Sequence, residues 1–400
     1  MTVDSKIRTV QEQIVVEEKV VQLEKLGTDP DFKREIVWKN VIGFIYLHVA
    51  AFYGLYLALT SAKIWTNLWS FFILVASAQG VLMGAHRLYS HKAYKASWQL
   101  RLILNILQTV AGQNCMYIWV RDHRQHHKYS DTDADPHNAI RGFFFSHMGW
   151  LMSRKHPKVI EKGKGIDMSD LEADGIVMFQ KKYYKTLYLL FAIMIPTLAP
   201  YFFWKEDIWN SLFVAYFFRY VFLLHGTWTV NSFAHIYGNR PYDKDIVPVE
   251  NYAIAKLTMG EGWHNYHHAF PYDYRAAEFG YRDASLTTQL IDLMASIGWA
   301  KDLRTASDDM VVRRTFRKGD GTHKVLAKNP LAQENGGKND SIYRKKISPD
   351  LFQDLDKFMN NNVTTVEDAY TKIASENLKE KTKLKAFENL NLRNNIVNQG

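Results

Sequence analysis

Fifteen histidines stand in a 400-residue chain that has a single cysteine. Nine of them fall into four groups. His86 and His91 lie in HRLYSH, and His123, His126 and His127 in HRQHH. His235 closes NSFAH, and His264, His267 and His268 lie in HNYHH. On a helix, positions i, i+3 and i+4 share a face. HRQHH and HNYHH are therefore each expected to present three imidazoles to one spot. The i, i+5 spacing of HRLYSH sets its two rings apart on a regular helix, so that pair needs a helix end or a local unwinding. One ion takes about four to six ligands, so nine imidazoles suit two ions. Imidazole favours zinc, copper, iron and nickel. With Cys115 alone, a disulfide framework within the chain and a multi-cysteine zinc or iron–sulfur site are excluded. The lack of thiolates also disfavours structural zinc and copper(I). His48, His137, His147, His156, His225 and His323 have no ligand spacing and receive no ligand role.

The elements that must carry these groups are visible in where charge is missing. Residues 40–62 and 64–86 contain no Asp, Glu, Lys or Arg, and Lys63 alone separates them. A third such run covers 186–204, and a fourth covers 208–231, interrupted only by Arg219. Each can cross a hydrocarbon core, which takes about 20 residues. They read as two helical hairpins with very short turns, at Lys63 and at Lys205-Glu206-Asp207. Between the hairpins, residues 87–185 hold 16 Lys/Arg against 9 Asp/Glu. The positive-inside bias keeps such a segment cytosolic, which puts both termini and all four histidine groups on that side. The first 35 residues are charged and show no signal peptide. Residues 10–26 read as an amphipathic surface helix. A further charge-free run, 102–120, holds Asn105, Gln108, Gln113 and Asn114, and reads as one helix lying in the interface or dipping into the membrane. The fold class is thus all-α integral membrane, with four transmembrane helices under a helical cytosolic cap holding a His-rich metal site. Its segments are a cytosolic stretch 1–36, a membrane domain 37–324 and a cytosolic extension 325–400. The whole chain has a mean hydropathy of −0.26 and a net charge of +9. Both follow from averaging apolar spans with a basic cap. The basic residues flank spans and do not form a nucleic-acid footprint.

GAHRLYSH, RDHRQHHKYSDTDADPHN, RGFFFSHMGWL, VNSFAHIYGNRPYD and GEGWHNYHHAFPYDY resemble the animal acyl-CoA desaturases, the insect members above all, over about residues 37–324. The resemblance implies two iron ions held by the nine grouped histidines, with Asn231 reaching one iron through water. It implies a fatty acyl-CoA substrate, O2, and electrons from cytochrome b5 in the endoplasmic reticulum membrane, with a cis double bond at Δ9. It assigns Asn40, Asn114, Arg121, Asp122, Arg154, Lys155 and Trp228 to the substrate. Gln113, Trp119 and Thr227 match positions that bend the acyl chain, and Leu74 and Ala78 match the blind end of its tunnel. The chain also departs from the family pattern. Leu74 stands where Tyr is common, Gly112 where Phe is usual, and His225-Gly226 where a Leu-Asn-like pair is more common. These positions flank the acyl path, so they bear on double-bond position, and Δ11 or Δ12 insertion remain alternatives.

Unactivated methylenes need an oxidant stronger than any side chain, so a cofactor must carry the chemistry. Neutral metal-binding histidines need their second nitrogen held, commonly by a carboxylate. Asp122, Asp131, Asp135, Glu261 and Asp273 are the candidates nearby. After His268 only His323 remains, so no bis-histidine haem can form in the tail and the electron donor must bind in trans. No nucleotide fingerprint is present. Within 325–400, residues 329–341 read as a linker and 349–392 as short solvent-facing helices. The alternatives are a His-box membrane hydroxylase and, from another class, a His-rich metal transporter. Transport fits poorly, because the histidines gather at one face instead of running through the spans.

Overall fold

The computed structural model describes residues 26–278 and 285–323. Nearly all of the expected helix at 10–26, and the whole extension from 325, lie outside the described residues. The chain divides into a unit ending at Ala306 and a second unit beginning at Ser307. The described part of the second unit holds one helix, Asp308–Lys318, whose N-terminus is capped by Ser307 Oγ accepting from Met310 N.

Among the described residues, four helices of the first unit are long and apolar enough to cross a membrane. They are α1 (Trp38–Thr60), α2 (Ile64–Ser90), α5 (Gly175–Trp204) and α6 (Ile208–Ile236). Their outward residues are apolar. Phe52 and Leu59 of α1 are 71% and 78% exposed, and Phe203 of α5 is 82% exposed. In water that would be an aggregation liability; in lipid it is the expected surface. The third span starts earlier than its charge-free run, because Lys181, Lys182 and Lys185 ride on the first turns of α5.

The two hairpin turns are tied to each other. Glu206 is buried and accepts from Lys63 N at 2.7 Å, Thr66 Oγ1 at 2.5 Å and Asn210 Nδ2 at 3.2 Å. Lys63 Nζ donates back to the carbonyls of Trp204 and Lys205. The two side chains thereby satisfy backbone groups of both turns.

The run 102–120 is not one helix. It forms α3 (Trp98–Ala111) and α4 (Met116–Tyr129), broken at Gly112. Gly112 has φ of +72° and Asn114 φ of +69°, conformations that stop a helix and that glycine and asparagine tolerate best. The break is pinned by Gln180 of α5, which donates to Gln108 Oε1 and Thr109 Oγ1 and accepts from Met116 N at 2.7 Å. α3 lies directly against α2. A Cβ at Gly80 would collide with the backbone of Leu107 and Gln108, so only glycine permits that approach. Below the break, Arg219 is fully buried in α6 and has no carboxylate partner among the described residues. It donates to the carbonyls of Ala215 at 2.9 Å, Val110 at 3.1 Å and Ala192 at 3.4 Å.

The cap is built on a core of Met83, Leu88, Tyr89, Leu104, Met116, Val120 and Leu171. It carries a two-residue antiparallel pairing, β1 (Lys95–Ala96) with β2 (Ala300–Lys301). It also holds the short helix α7 (His264–Ala269) and α8 (Leu286–Ser296).

Candidate metal centre and adjoining cavities

The histidines are brought in by four elements: the end of α2, α4, the last turn of α6, and α7. They form two clusters. His86, His91, His123, His127 and His267 each place a ring nitrogen within 4.8 Å of the others, and so do His126, His235, His264 and His268. Nε2 atoms face each other at 2.9 Å for His86–His267 and His91–His123, and at 3.1 Å for His235–His264 and His264–His268. The clusters adjoin where the His127 and His268 rings stack, with centroids 4.1 Å apart.

Each three-histidine box therefore splits, contrary to the single spot expected from its spacing. His123 and His127 join one cluster and His126 the other, while His264 and His268 pair away from His267. The reason is geometric. Positions i+3 and i+4 are sequence neighbours, about 100° apart around the axis. Each i, i+4 pair aims at one point, and the residue between them aims at the next.

The i, i+5 pair meets at a helix end that is locally unwound, as its spacing requires. Residues Gly80–Ser90 of α2 are wound as a π-helix, with His91 N donating to His86 O at 3.2 Å. This wider coil has i→i+5 bonds, which brings His86 and His91 to a ring separation of 4.9 Å.

Carboxylates hold the far nitrogen of three rings. Glu261 accepts from His86 Nδ1 at 2.9 Å, Asp135 from His126 Nδ1 at 2.8 Å, and Asp131 from His235 Nδ1 at 3.0 Å. Asp131 sits at φ +59°, a conformation open to aspartate, and this turn lets both acidic groups of the loop point back at histidines. Asp122 and Asp273 do not serve this purpose. Asp122 pairs with Arg121 and Lys155, and Asp273 with Arg275 and Tyr266. His264 and His267 have no partner at Nδ1 among the described residues.

Burial raises the cost of ionising Glu261, but Arg87 and His86 outweigh it and hold the carboxyl at about 2. Asp131 is likewise pulled well below the usual carboxylate range, against its burial, by His235. His91, His123, His127, His264, His267 and His268 are driven the other way. Burial, then crowding by neighbouring imidazoles, keeps them neutral far below their ordinary range. Neutral imidazole is the form that binds a cation. His126 Nε2 is buried and has no hydrogen-bond partner among the described residues. That would be costly in an apolar core and is resolved beside a metal. The donor set, all nitrogen with carboxylates behind, fits two metal ions.

Two supporting arginines were not anticipated. Arg87 donates to Glu261 Oε1 at 2.7 Å and to Tyr274 O at 2.8 Å. Arg124 bonds Asp170 through both terminal nitrogens, at 2.8 and 2.7 Å, and the Tyr89 carbonyl at 2.6 Å. Their signal is the HR dipeptide that opens both HRLYSH and HRQHH. His137, given no role, lies with its ring tilted against that of His126, centroids 4.3 Å apart, and groups with it and Asp135. Burial and His126 lower its own value to about 3.

Two cavities meet at the clusters. One, of about 280 Å³, is lined by Gln113, Asn114, Asp122, Trp228 and Asn231. The other, of about 390 Å³, runs along α2 and α6 past Leu74 and Ala78. Trp119, His123, Thr227 and Asn231 line both. At that bend Gln113 Nε2 donates to Thr227 Oγ1 at 2.8 Å, and Trp119 Nε1 to Gln113 Oε1 at 3.3 Å. Of the charged groups nearby, Asp122 lines the first cavity. Arg121 and Lys155 pair with Asp122, and Arg154 pairs with Glu35. Asn40 ties the start of α1 to the Leu151 carbonyl at 2.8 Å. Away from the clusters, His48, His225 and His147 form a hydrogen-bonded row behind Trp228.

Comparison with known proteins agrees with this arrangement. A family profile described as fatty acid desaturase matches residues 63–278. The chain is 58% identical to an acyl-CoA Delta-9 desaturase of Acheta domesticus, over 74% of this chain and 82% of the relative. It is 53% identical to an acyl-CoA Delta-12 desaturase of Tribolium castaneum, over 72% and 81%. It is also 53% identical to an acyl-CoA Delta(11) desaturase of Spodoptera littoralis, over 73% and 86%.

Proposed function

The chain belongs to the fatty acid desaturase family, and from that premise we propose that it is an acyl-CoA Δ9-desaturase whose two histidine clusters each hold an iron ion. It is a multi-pass membrane oxidoreductase that acts on acyl-CoA. The observation that carries the reading is the junction at Trp119, His123, Thr227 and Asn231, where an apolar cavity, a polar-rimmed cavity and both imidazole clusters come together.

In this reading His86, His91, His123, His127 and His267 hold one iron, and His126, His235, His264 and His268 the other, with Asn231 placed for a water. The irons, with O2 and two electrons, supply the oxidising power that side chains lack. The chain's own residues do the rest. Glu261, Asp131 and Asp135 keep the imidazoles they touch in the right tautomer. Asn114, Arg121, Asp122, Arg154 and Lys155 receive the CoA portion, where guanidinium and ammonium groups make charge-assisted bonds to phosphate. Gln113, Trp119 and Thr227 bend the acyl chain so that chosen carbons reach the clusters. Leu74 and Ala78 limit how far the chain enters. The basic segment 87–185 supports a cytosolic placement of cap and termini in the endoplasmic reticulum membrane. It also suits steering of an acidic donor, cytochrome b5, bound in trans.

Expression in a yeast lacking its own desaturase, with mass-spectrometric location of double bonds, tests this. The expected result is a cis double bond at Δ9 of saturated acyl chains. A product at Δ11 or Δ12 would move the position and leave the activity. Folded, iron-loaded protein that yields no new unsaturated chain, or a hydroxylated one, overturns the reading.

A further inference from the structure

The larger cavity has two unlike walls. Its inner wall is a buried cluster that includes Ala78, Val81 and Leu223. Its outer wall is formed by Phe71 of α2 and by the stripe Phe222, Gly226, Val230 of α6, spaced i, i+4, i+8 along one face. Phe71 and Phe222 are 63% and 48% exposed, so these residues both line the cavity and reach the lipid-facing surface. Between Phe222 and Val230 the stripe has no side chain at all. Apart from its chain neighbours and the backbone of its own helix, a Cβ built at Gly226 would meet no atom within 4 Å. Phe222 and Val230 stand roughly one helical turn, about 5.4 Å, to either side. Gly226 is not there to relieve crowding, since there is none. What it provides is a gap in the outer wall.

We infer that the acyl slot is open on its membrane side at Gly226, so that a seated acyl chain touches bilayer lipid edge-on and leaves sideways through this window. The inference rests on the acyl-CoA reading above. The physical ground is the medium on each side. A chain that passes sideways moves from apolar slot to hydrocarbon and never exposes its methylenes to water. A chain that withdraws lengthwise must drag the same surface past the polar rim at Asn114 and Asp122, against the hydrophobic effect. Leu74 and Ala78 then set how far the chain enters, while Gly226 sets how it departs.

The test uses the full chain in lipid vesicles, with Gly226→Cys placed in a Cys115→Ser background so that it carries the only thiol. A neutral maleimide dissolved in the bilayer should label it, and a charged water-soluble maleimide should not. Long-chain saturated acyl-CoA should slow the labelling at least tenfold, and CoA alone should not. No labelling from the bilayer, or labelling indifferent to acyl-CoA, overturns the window. In kinetics, Gly226→Leu should show a burst of about one product per enzyme and then a steady rate at least fivefold below wild type. Absence of the burst overturns the exit route. If the wild-type enzyme forms no unsaturated acyl-CoA, the functional reading fails, while the labelling result still decides whether the slot opens to lipid.

Discussion

One oxygen of Glu261 holds Nδ1 of His86 at 2.9 Å while the other holds the guanidinium of Arg87 at 2.7 Å. A single buried carboxylate thus orients a metal-binding ring and neutralises the cation beside it in sequence. Glu261→Gln keeps the shape but loses the charge. Metal affinity should fall about 10–100-fold, the usual effect of removing such a partner, read as iron retained during titration with a chelator. Glu261→Ala also strands Arg87 and should cost about 3–5 kcal/mol of stability. Unchanged affinity in Glu261→Gln would show that His86 is oriented by other contacts.

Acid should unfold the metal-free protein in two stages. Six histidines of the clusters are held neutral far below their unfolded value. Below a pH of about 6.5 the unfolded chain binds protons that the folded chain refuses, so stability falls as pH falls. Glu261, held at about 2, adds a second loss as pH drops from about 4.5 toward 2. Thermal midpoints in detergent across this range check both stages. A flat profile from pH 7 to 5 would contradict the first.

Thr227→Val removes the oxygen that accepts from Gln113 and keeps the volume of the bend. The stability cost should be small, on the order of 1 kcal/mol. The expected change is in products. A bend held at one point gives one double-bond position, and a loosened one should give a mixture in mass spectra. A single unaltered product would remove the Gln113–Thr227 bond from any role in registering the chain.

Arg219 donates to the carbonyl of Val110 in the last turn of α3, one of the groups a helix end leaves without an internal partner. Arg219→Met fills the space but leaves that half-buried acceptor unmet. A loss of about 1–3 kcal/mol is expected, together with slower turnover, because Gly112 and Gln113 follow directly. Circular dichroism melts and turnover should move together. A stable but slow variant would place Arg219 nearer the chemistry than its contacts indicate.

The spans and both short turns were readable because charge is costly in hydrocarbon and its absence is conspicuous in a sequence. The nine histidines were readable for the same kind of reason, since no core needs them in that pattern. Their division between two clusters was not readable. It depends on the 100° between His126 and His127, a difference that face-sharing rules blur. The break at Gly112 was hidden by an unbroken apolar run, and only the consecutive Gly112-Gln113-Asn114 hinted at it. The choice among five carboxylates depended on how the loop at Asp131 turns, which is a tertiary matter. Arg87 and Arg124 look like surface charge in sequence, although Arg87 is almost wholly buried.

The π-helical turn between Gly80 and Ser90 bears on how such sites arise. One π-turn is what an α-helix becomes when it absorbs a single extra residue without changing its ends. Delete one position between His86 and His91 and the remainder is an i, i+4 pair on an ordinary helix, the same grammar as His123–His127 and His264–His268. The odd member of the set is then a regular pair with an insertion, and the register of everything toward Leu74 is shifted by one residue relative to the metals. Searches for paired ligands in membrane helices should therefore admit i+5 wherever a glycine-flanked π-turn can form. An engineered deletion at that point would slide the cavity wall at Leu74 by about 1.5 Å against histidine clusters that stay assembled.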